Sequence, residues 1–124
     1  MSPSAHFLLQ MIKIYHNPKC SKSRQALELL QNKGITPQVI LYLEQGLSEA
    51  EIKEILAKLK LPVRDIMRTK EDEFKEQNLD DKNLSDEDLI TAIIKTPKLL
   101  ERPIVINGNK AAIGRPTENI LEIV

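Results

Sequence analysis

The stretch Ile12-Lys13-Ile14-Tyr15-His16-Asn17-Pro18-Lys19-Cys20 decides how the chain is read, because it passes from a β-prone run into a polar loop. Ile12 to Tyr15 reads as a short strand, and Pro18 keeps the following residues out of regular structure. A helix is expected from about Ser21 to Lys33, with Ala26, Leu27, Leu29 and Leu30 on its apolar face and Gly34 placed to end it. The β-prone run Val39-Ile40-Leu41-Tyr42-Leu43 then predicts a second strand, buried on both faces. Strand, helix and strand form a βαβ unit, whose two strands run parallel.

Further along, Ser48 and Glu51 have the spacing of a capping box, and Ile52, Ile55, Leu56 and Leu59 repeat on one helical face. Shorter helical patterns at Val63 to Met67, Glu71 to Gln77 and Ser85 to Lys95 make residues 62–97 a helical insertion, which Pro97 closes. Ile104-Val105-Ile106, Asn107-Gly108-Asn109 and Lys110 to Ile113 predict an antiparallel hairpin with a type I′ turn at Asn-Gly. A last helix is expected from Thr117, burying Ile120, Leu121 and Val124. The class is therefore α/β: a mixed four-stranded sheet flanked by helices, with a helical insertion. Residues 11–124 read as a single domain, and residues 1–10 as an N-terminal extension, expected to be disordered.

Composition narrows the function. The 124 residues carry 18 Lys+Arg against 18 Asp+Glu, so nothing marks a polyanion binder and no nucleic-acid partner is expected. No apolar run approaches the roughly 18 residues a membrane helix needs. The first ten residues hold no Lys or Arg and too short an apolar stretch for a signal peptide, so a cytoplasmic protein without membrane attachment is expected. One cysteine and two histidines leave neither an internal disulfide nor a Cys/His metal site to be expected. The acidic run from Asp80 to Asp88 fails as a calcium loop: counted from Asp81, Asp86 stands where glycine belongs and Ala92 where the closing glutamate belongs. Ser85 reads instead as a helix N-cap. Four glycines form no phosphate-binding loop, so no bound nucleotide is expected.

Chemistry centres on Cys20. A cysteine between a strand and a helix N-terminus sits where free N–H groups and the helix dipole stabilise a thiolate. Lys19, Lys22 and Arg24 add positive charge, and His16 is placed to donate a hydrogen bond to the sulfur. The bland alternative is a small buried hydrophobe. Ser23 occupies the second position of a Cys-x-x-Cys pair, so turnover requires a thiol from outside the chain. A phosphatase loop would need five residues between Cys and Arg, and Arg24 leaves three. Arginines are few, five against thirteen lysines, and Arg102 and Arg115 each precede a proline that fixes the neighbouring backbone. Guanidinium groups held in this way suit a tetrahedral oxyanion, although each taken alone could equally be a solvated surface residue. Arg102-Pro103 is also a candidate cis peptide.

Taken together, Ile14 to Cys20, Ser23-Arg24, Tyr42-Leu43, Val63-Arg64 with Arg68, Leu99 to Val105 and Gly114-Arg115-Pro116 resemble the glutaredoxin-dependent arsenate reductase family, the ArsC family, over about Met11 to Val124. The resemblance implies a thioredoxin-like core. It implies that Cys20 is the nucleophile that forms an adduct with arsenate and that His16 helps keep its thiol deprotonated. It assigns Arg68, Arg102 and Arg115 to the oxyanion and the arsenic intermediates. It further implies glutathione as the reducing co-substrate, with no bound cofactor, and glutaredoxin as the partner that reduces the mixed disulfide. Relatives in the same superfamily leave two alternatives: a general thiol reductase, or an Spx-type regulator that binds RNA polymerase. Spx-type proteins usually carry Cys-x-x-Cys, whereas this chain has Cys20-Ser21-Lys22-Ser23.

Overall fold

The computed structural model describes residues 12–124; the extension expected at residues 1–10 lies outside them. The described residues gather into two compact units, one holding those up to Gln45 together with Arg102–Val124, the other Gly46–Glu101. The second unit contains the segment expected as a helical insertion and extends it in both directions.

The first unit carries strands β1 (Ile12–Tyr15), β2 (Gln38–Ile40), β3 (Ile104–Asn107) and β4 (Lys110–Ile113), and helix α1 (Ser21–Asn32). The sheet order is β2-β1-β3-β4. β1 pairs parallel with β2 and antiparallel with β3, and β3 pairs antiparallel with β4, so the sheet is mixed as expected. Alternation along the strands puts Ile12, Ile14 and Val105 on one face, where they form a buried cluster with Ala26 and Leu30 of α1 and with Ile120. Ile14 lies directly opposite Val105 in the register. Burying side chains of this size stabilises by about 1.5–3 kcal/mol each. Cys20, at the α1 N-cap, makes no side-chain capping bond, and a cap of the usual Ser or Asp type is worth about 1 kcal/mol. Packing therefore outweighs capping in holding α1, which leaves the N-cap side chain available for chemistry.

Three expectations in this unit are corrected. The second strand stops at Ile40, and Tyr42–Gln45 form a short helix, α2. β2 is an edge strand, so Val39 stays 40% exposed and Leu43, one residue into α2, 44% exposed. A continuous apolar run does not distinguish strand from helix, and here it divides between them. The hairpin turn is centred on Gly108-Asn109, because Asn107 pairs with Lys110. Positive φ is confined to Gly108 (63°), the pattern of a type II′ turn and not of type I′. Residues Thr117–Glu122 form a 3₁₀ helix that buries Ile120 alone of the three residues expected, with Leu121 and Val124 exposed.

In the second unit, α3 (Glu49–Leu59) and α5 (Asp86–Lys95) both begin with complete capping boxes, Ser48 with Glu51 and Ser85 with Asp88. Ile52, Ile55, Leu89, Ile90 and Ile93 are buried. Between the two helices lie a 3₁₀ turn at Val63–Ile66 and the short helix α4 (Asp72–Glu76). Arg64 donates to the carbonyls of Leu79 and Asp81, both at 2.6 Å, which makes it a clamp on the loop before α5. Among the described residues no helix is long and apolar enough to cross a membrane.

Candidate active site

Cys20 sits at the junction of the β1 loop and α1. Its N–H donates to the Asn17 carbonyl at 3.0 Å and its own carbonyl accepts from Arg24 N–H at 3.0 Å, so the loop closes as a tight turn into the helix. Upstream, His16 N–H donates to the Ile40 carbonyl at 2.9 Å, which ties the start of the loop to the end of β2. The sulfur itself is largely buried, with 9% of the residue exposed.

Burial alone would push the thiol pKa up. It is outweighed by the backbone N–H of Ser23, by the hydrogen bond and charge of Arg102, and by the backbone N–H of Lys22, leaving the pKa below the ordinary thiol value. Lys22 and Ser23 supply the second and third amides of α1, the donors that a capping side chain serves, and here they favour a thiolate. Arg115 completes the surroundings: its Nη2 lies 3.6 Å from Cys20 Sγ and its Nε donates to the Arg102 carbonyl at 2.7 Å. One guanidinium thus binds the sulfur and the backbone of the other arginine's corner together. Both corners contain cis peptides, Arg102-Pro103, as anticipated, and Arg115-Pro116.

His16 is placed differently from the expectation. Its Nδ1 shares a 2.6 Å hydrogen bond with Ser23 Oγ and not with the sulfur, and Ser23 Oγ also accepts from Asn17 N–H at 3.0 Å. Burial first, and then the nearby Arg24 charge, hold the His16 pKa below its usual 6.5. A neutral imidazole adds no positive charge beside the thiolate, so that role falls to the arginines and the helix amides. The native state disfavours protonation of His16 relative to the unfolded chain, so stability is expected to fall as pH drops through 6.5 and below. His16→Gln should lose less Tm than wild type between about pH 7.5 and 5.5 in thermal melts. Equal losses would contradict this role for His16.

Arg68 lies in the second unit. There its Nε donates to Glu71 Oε1 at 2.9 Å and its Nη1 pairs with Glu101 at 3.5 Å, while its N–H donates to the Leu99 carbonyl at 2.7 Å. Arg24 turns back onto its own loop, donating to the Pro18 carbonyl at 2.9 Å. Among the described residues no group of three or more His, Cys, Asp or Glu side chains converges as a metal site would require.

Three residues take structural roles in this geometry that the sequence reading does not assign to them. Ser23, read as the missing second cysteine and as part of the Ser23-Arg24 motif, is fully buried and joins His16 to the loop backbone. Asn119 donates through Nδ2 to the carbonyls of Ile113 and Arg115, both at 3.2 Å, and so braces the Arg115 corner. Gly114 has the clearest physical requirement: a Cβ there would lie 2.8 Å from Pro103 Cγ and 3.0 Å from Ile120 Cδ1. Its N–H also donates to the Pro103 carbonyl at 2.9 Å. Gly114→Ala is expected to destabilise by about 1–3 kcal/mol, as overpacking does, and to slow Cys20 alkylation by shifting Pro103 and the adjoining Arg102. Denaturant titration and iodoacetamide kinetics would check both effects.

A family model for the ArsC family matches residues 15–123. The chain belongs to that family. It is 54% identical over 112 residues to the arsenate reductase of Haemophilus influenzae, covering 90% of this chain and 97% of that one. It is also 51% identical over 118 residues to the Escherichia coli K12 protein YfgD, covering 94% of this chain and 99% of the relative. Among solved structures, the arsenate reductase from Vibrio cholerae superposes with a TM-score of 0.90 at 53% identity, covering 93% of this chain and 99% of the other. The mixed sheet and flanking helices are those of the ArsC, thioredoxin-like fold.

Proposed function

We propose that this ArsC-family chain is an arsenate reductase in which Cys20 is the nucleophile. The observation that carries the reading is a single sulfur at a helix N-terminus, with Arg115 Nη2 at 3.6 Å and Arg102 lowering its pKa. Arsenate reductases of Haemophilus influenzae and Vibrio cholerae at more than 50% identity support it.

The Cys20 thiolate attacks arsenic(V), forming an S–As bond as one arsenate oxygen is protonated and leaves as water. Arg102 and Arg115 stabilise the charge on the remaining oxygens, and the role the resemblance implies for Arg68, binding the oxyanion, is carried into the proposal. Glutathione then attacks the Cys20 sulfur. The S–As electron pair passes to arsenic, giving arsenic(III), and Cys20 is left in a mixed disulfide with glutathione. Glutaredoxin reduces that disulfide and restores the thiolate. His16 acts as a positioning residue: through Ser23 Oγ it fixes the residue whose N–H faces the sulfur.

Arginines discriminate poorly between arsenate and phosphate, which share charge and shape. Selection comes from redox chemistry, because thiols reduce arsenic(V) and do not reduce phosphate. The test is NADPH oxidation by purified protein with glutathione, glutaredoxin, glutathione reductase and arsenate. A rate no higher than the arsenate-free blank removes the reading.

A further inference from the structure

Beside the Cys20 loop, the first unit has a cavity of about 320 Å³. Its walls are the loop residues His16 to Lys19 on one side and Leu41, Leu43 and Glu44, which follow β2, on the other. Neither Arg102 nor Arg115 lines it, so it is distinct from the oxyanion ligands. Lys19 and Glu44 are exposed and enter no ion pair among the described residues, and Leu43 stands 44% exposed with no packing role in the buried cluster. The cavity therefore offers one free cation, one free anion and an apolar wall from Leu41, Leu43 and Pro18, directly before the nucleophile in the chain.

We propose that this cavity is the binding site for glutathione, holding the tripeptide while its thiol reaches Cys20. For the arsenic step this rests on the reductase reading; for thiol–disulfide exchange at Cys20 it does not. Glutathione carries one ammonium and two carboxylates, which Glu44 and Lys19 complement, and its methylenes fit the leucine wall. The volume lies at the small end of ligand pockets, roughly 300–1,000 Å³, suited to a tripeptide and not to a dinucleotide. An extended tripeptide spans about 10 Å, and Cys20 follows Lys19 directly in the chain at a Cα spacing of about 3.8 Å, so the loop wall of the cavity ends at the residue before the nucleophile. The missing partner thiol at Ser23 is thus matched by a place for an external one.

Leu43→Asp and Glu44→Lys test the assignment, since both side chains are exposed and lie outside the catalytic set. The measured reaction is transfer from oxidised glutathione: the Cys20 thiolate attacks one sulfur, the S–S bond breaks, a Cys20–glutathione disulfide forms and the second glutathione departs as thiolate. Each variant should slow this transfer about tenfold, while alkylation by iodoacetamide and exchange with a neutral disulfide such as hydroxyethyl disulfide stay within about twofold. Unchanged transfer from oxidised glutathione overturns the proposal, as does an equal fall for all three reagents, which would mean altered thiol reactivity. Unchanged transfer with slower release by glutaredoxin also overturns it and assigns the wall to protein docking. If the wild-type chain shows no arsenate-dependent turnover but the variants lose glutathione selectivity, the reductase reading fails and the cavity assignment stands.

Discussion

Cys20→Ser is expected to reduce arsenate-dependent turnover to the blank rate, a loss of at least about 10³-fold, because no other thiol exists in the chain to form the S–As bond. The same change should stabilise the fold at low pH. Serine is a preferred N-cap, and its oxygen can accept from the α1 amides that now face sulfur, for a gain of about 0.5–1 kcal/mol. That corresponds to a few degrees in Tm for a domain of this size. The gain depends on pH. The Cys20 pKa is lowered on folding, so ionisation adds native stability above the unfolded thiol value, and this is lost as pH falls through the folded pKa. The advantage of the serine variant should therefore be largest near about pH 5.5 and shrink as pH rises. A Tm difference independent of pH would show that the thiolate is not favoured by the fold.

Arg115→Ala is expected to lower kcat/KM for arsenate by about 10- to 100-fold, the range for removing one or two hydrogen bonds to a charged group. It should also move the midpoint of Cys20 alkylation towards the ordinary thiol value of about 8.5. Both effects follow from the position of the guanidinium, with Nη2 on the sulfur and Nε on the Arg102 carbonyl. Arg115→Lys should recover little, because a single ammonium nitrogen cannot stand at both the Nε and the Nη2 positions from which the guanidinium reaches its two acceptors. Values for Arg115→Ala within about twofold of wild type in both measurements would remove Arg115 from the site.

Much of this was legible in the sequence wherever a local rule had no rival. Strand β1, the Pro18 loop, the Ser48 and Ser85 caps and the cysteine at the head of α1 each follow from neighbours a few residues apart. Legibility failed where the deciding partner was remote. Val39 to Leu43 is apolar throughout, and only the edge position of β2 shows that it ends at Ile40 and turns into α2. The hairpin was recognised, but its turn type depends on Asn107 pairing with Lys110, a matter of register and not of composition. In the site, the cysteine and the Arg-Pro corners stood out by residue type. The link between His16 and Ser23 did not, since a serine seven positions away on the next helix turns inward only once Ala26 and Leu30 have set the face of α1.

The nucleophile and Arg115, which lies 3.6 Å from it, are separated by 95 positions, with the whole second unit encoded between them. During synthesis Cys20 is exposed long before either Arg102 or Arg115 has been made. The arginine part of the thiol's surroundings therefore arrives only with the residues that flank the final hairpin, long after the Lys22 and Ser23 amides beside the sulfur have been made.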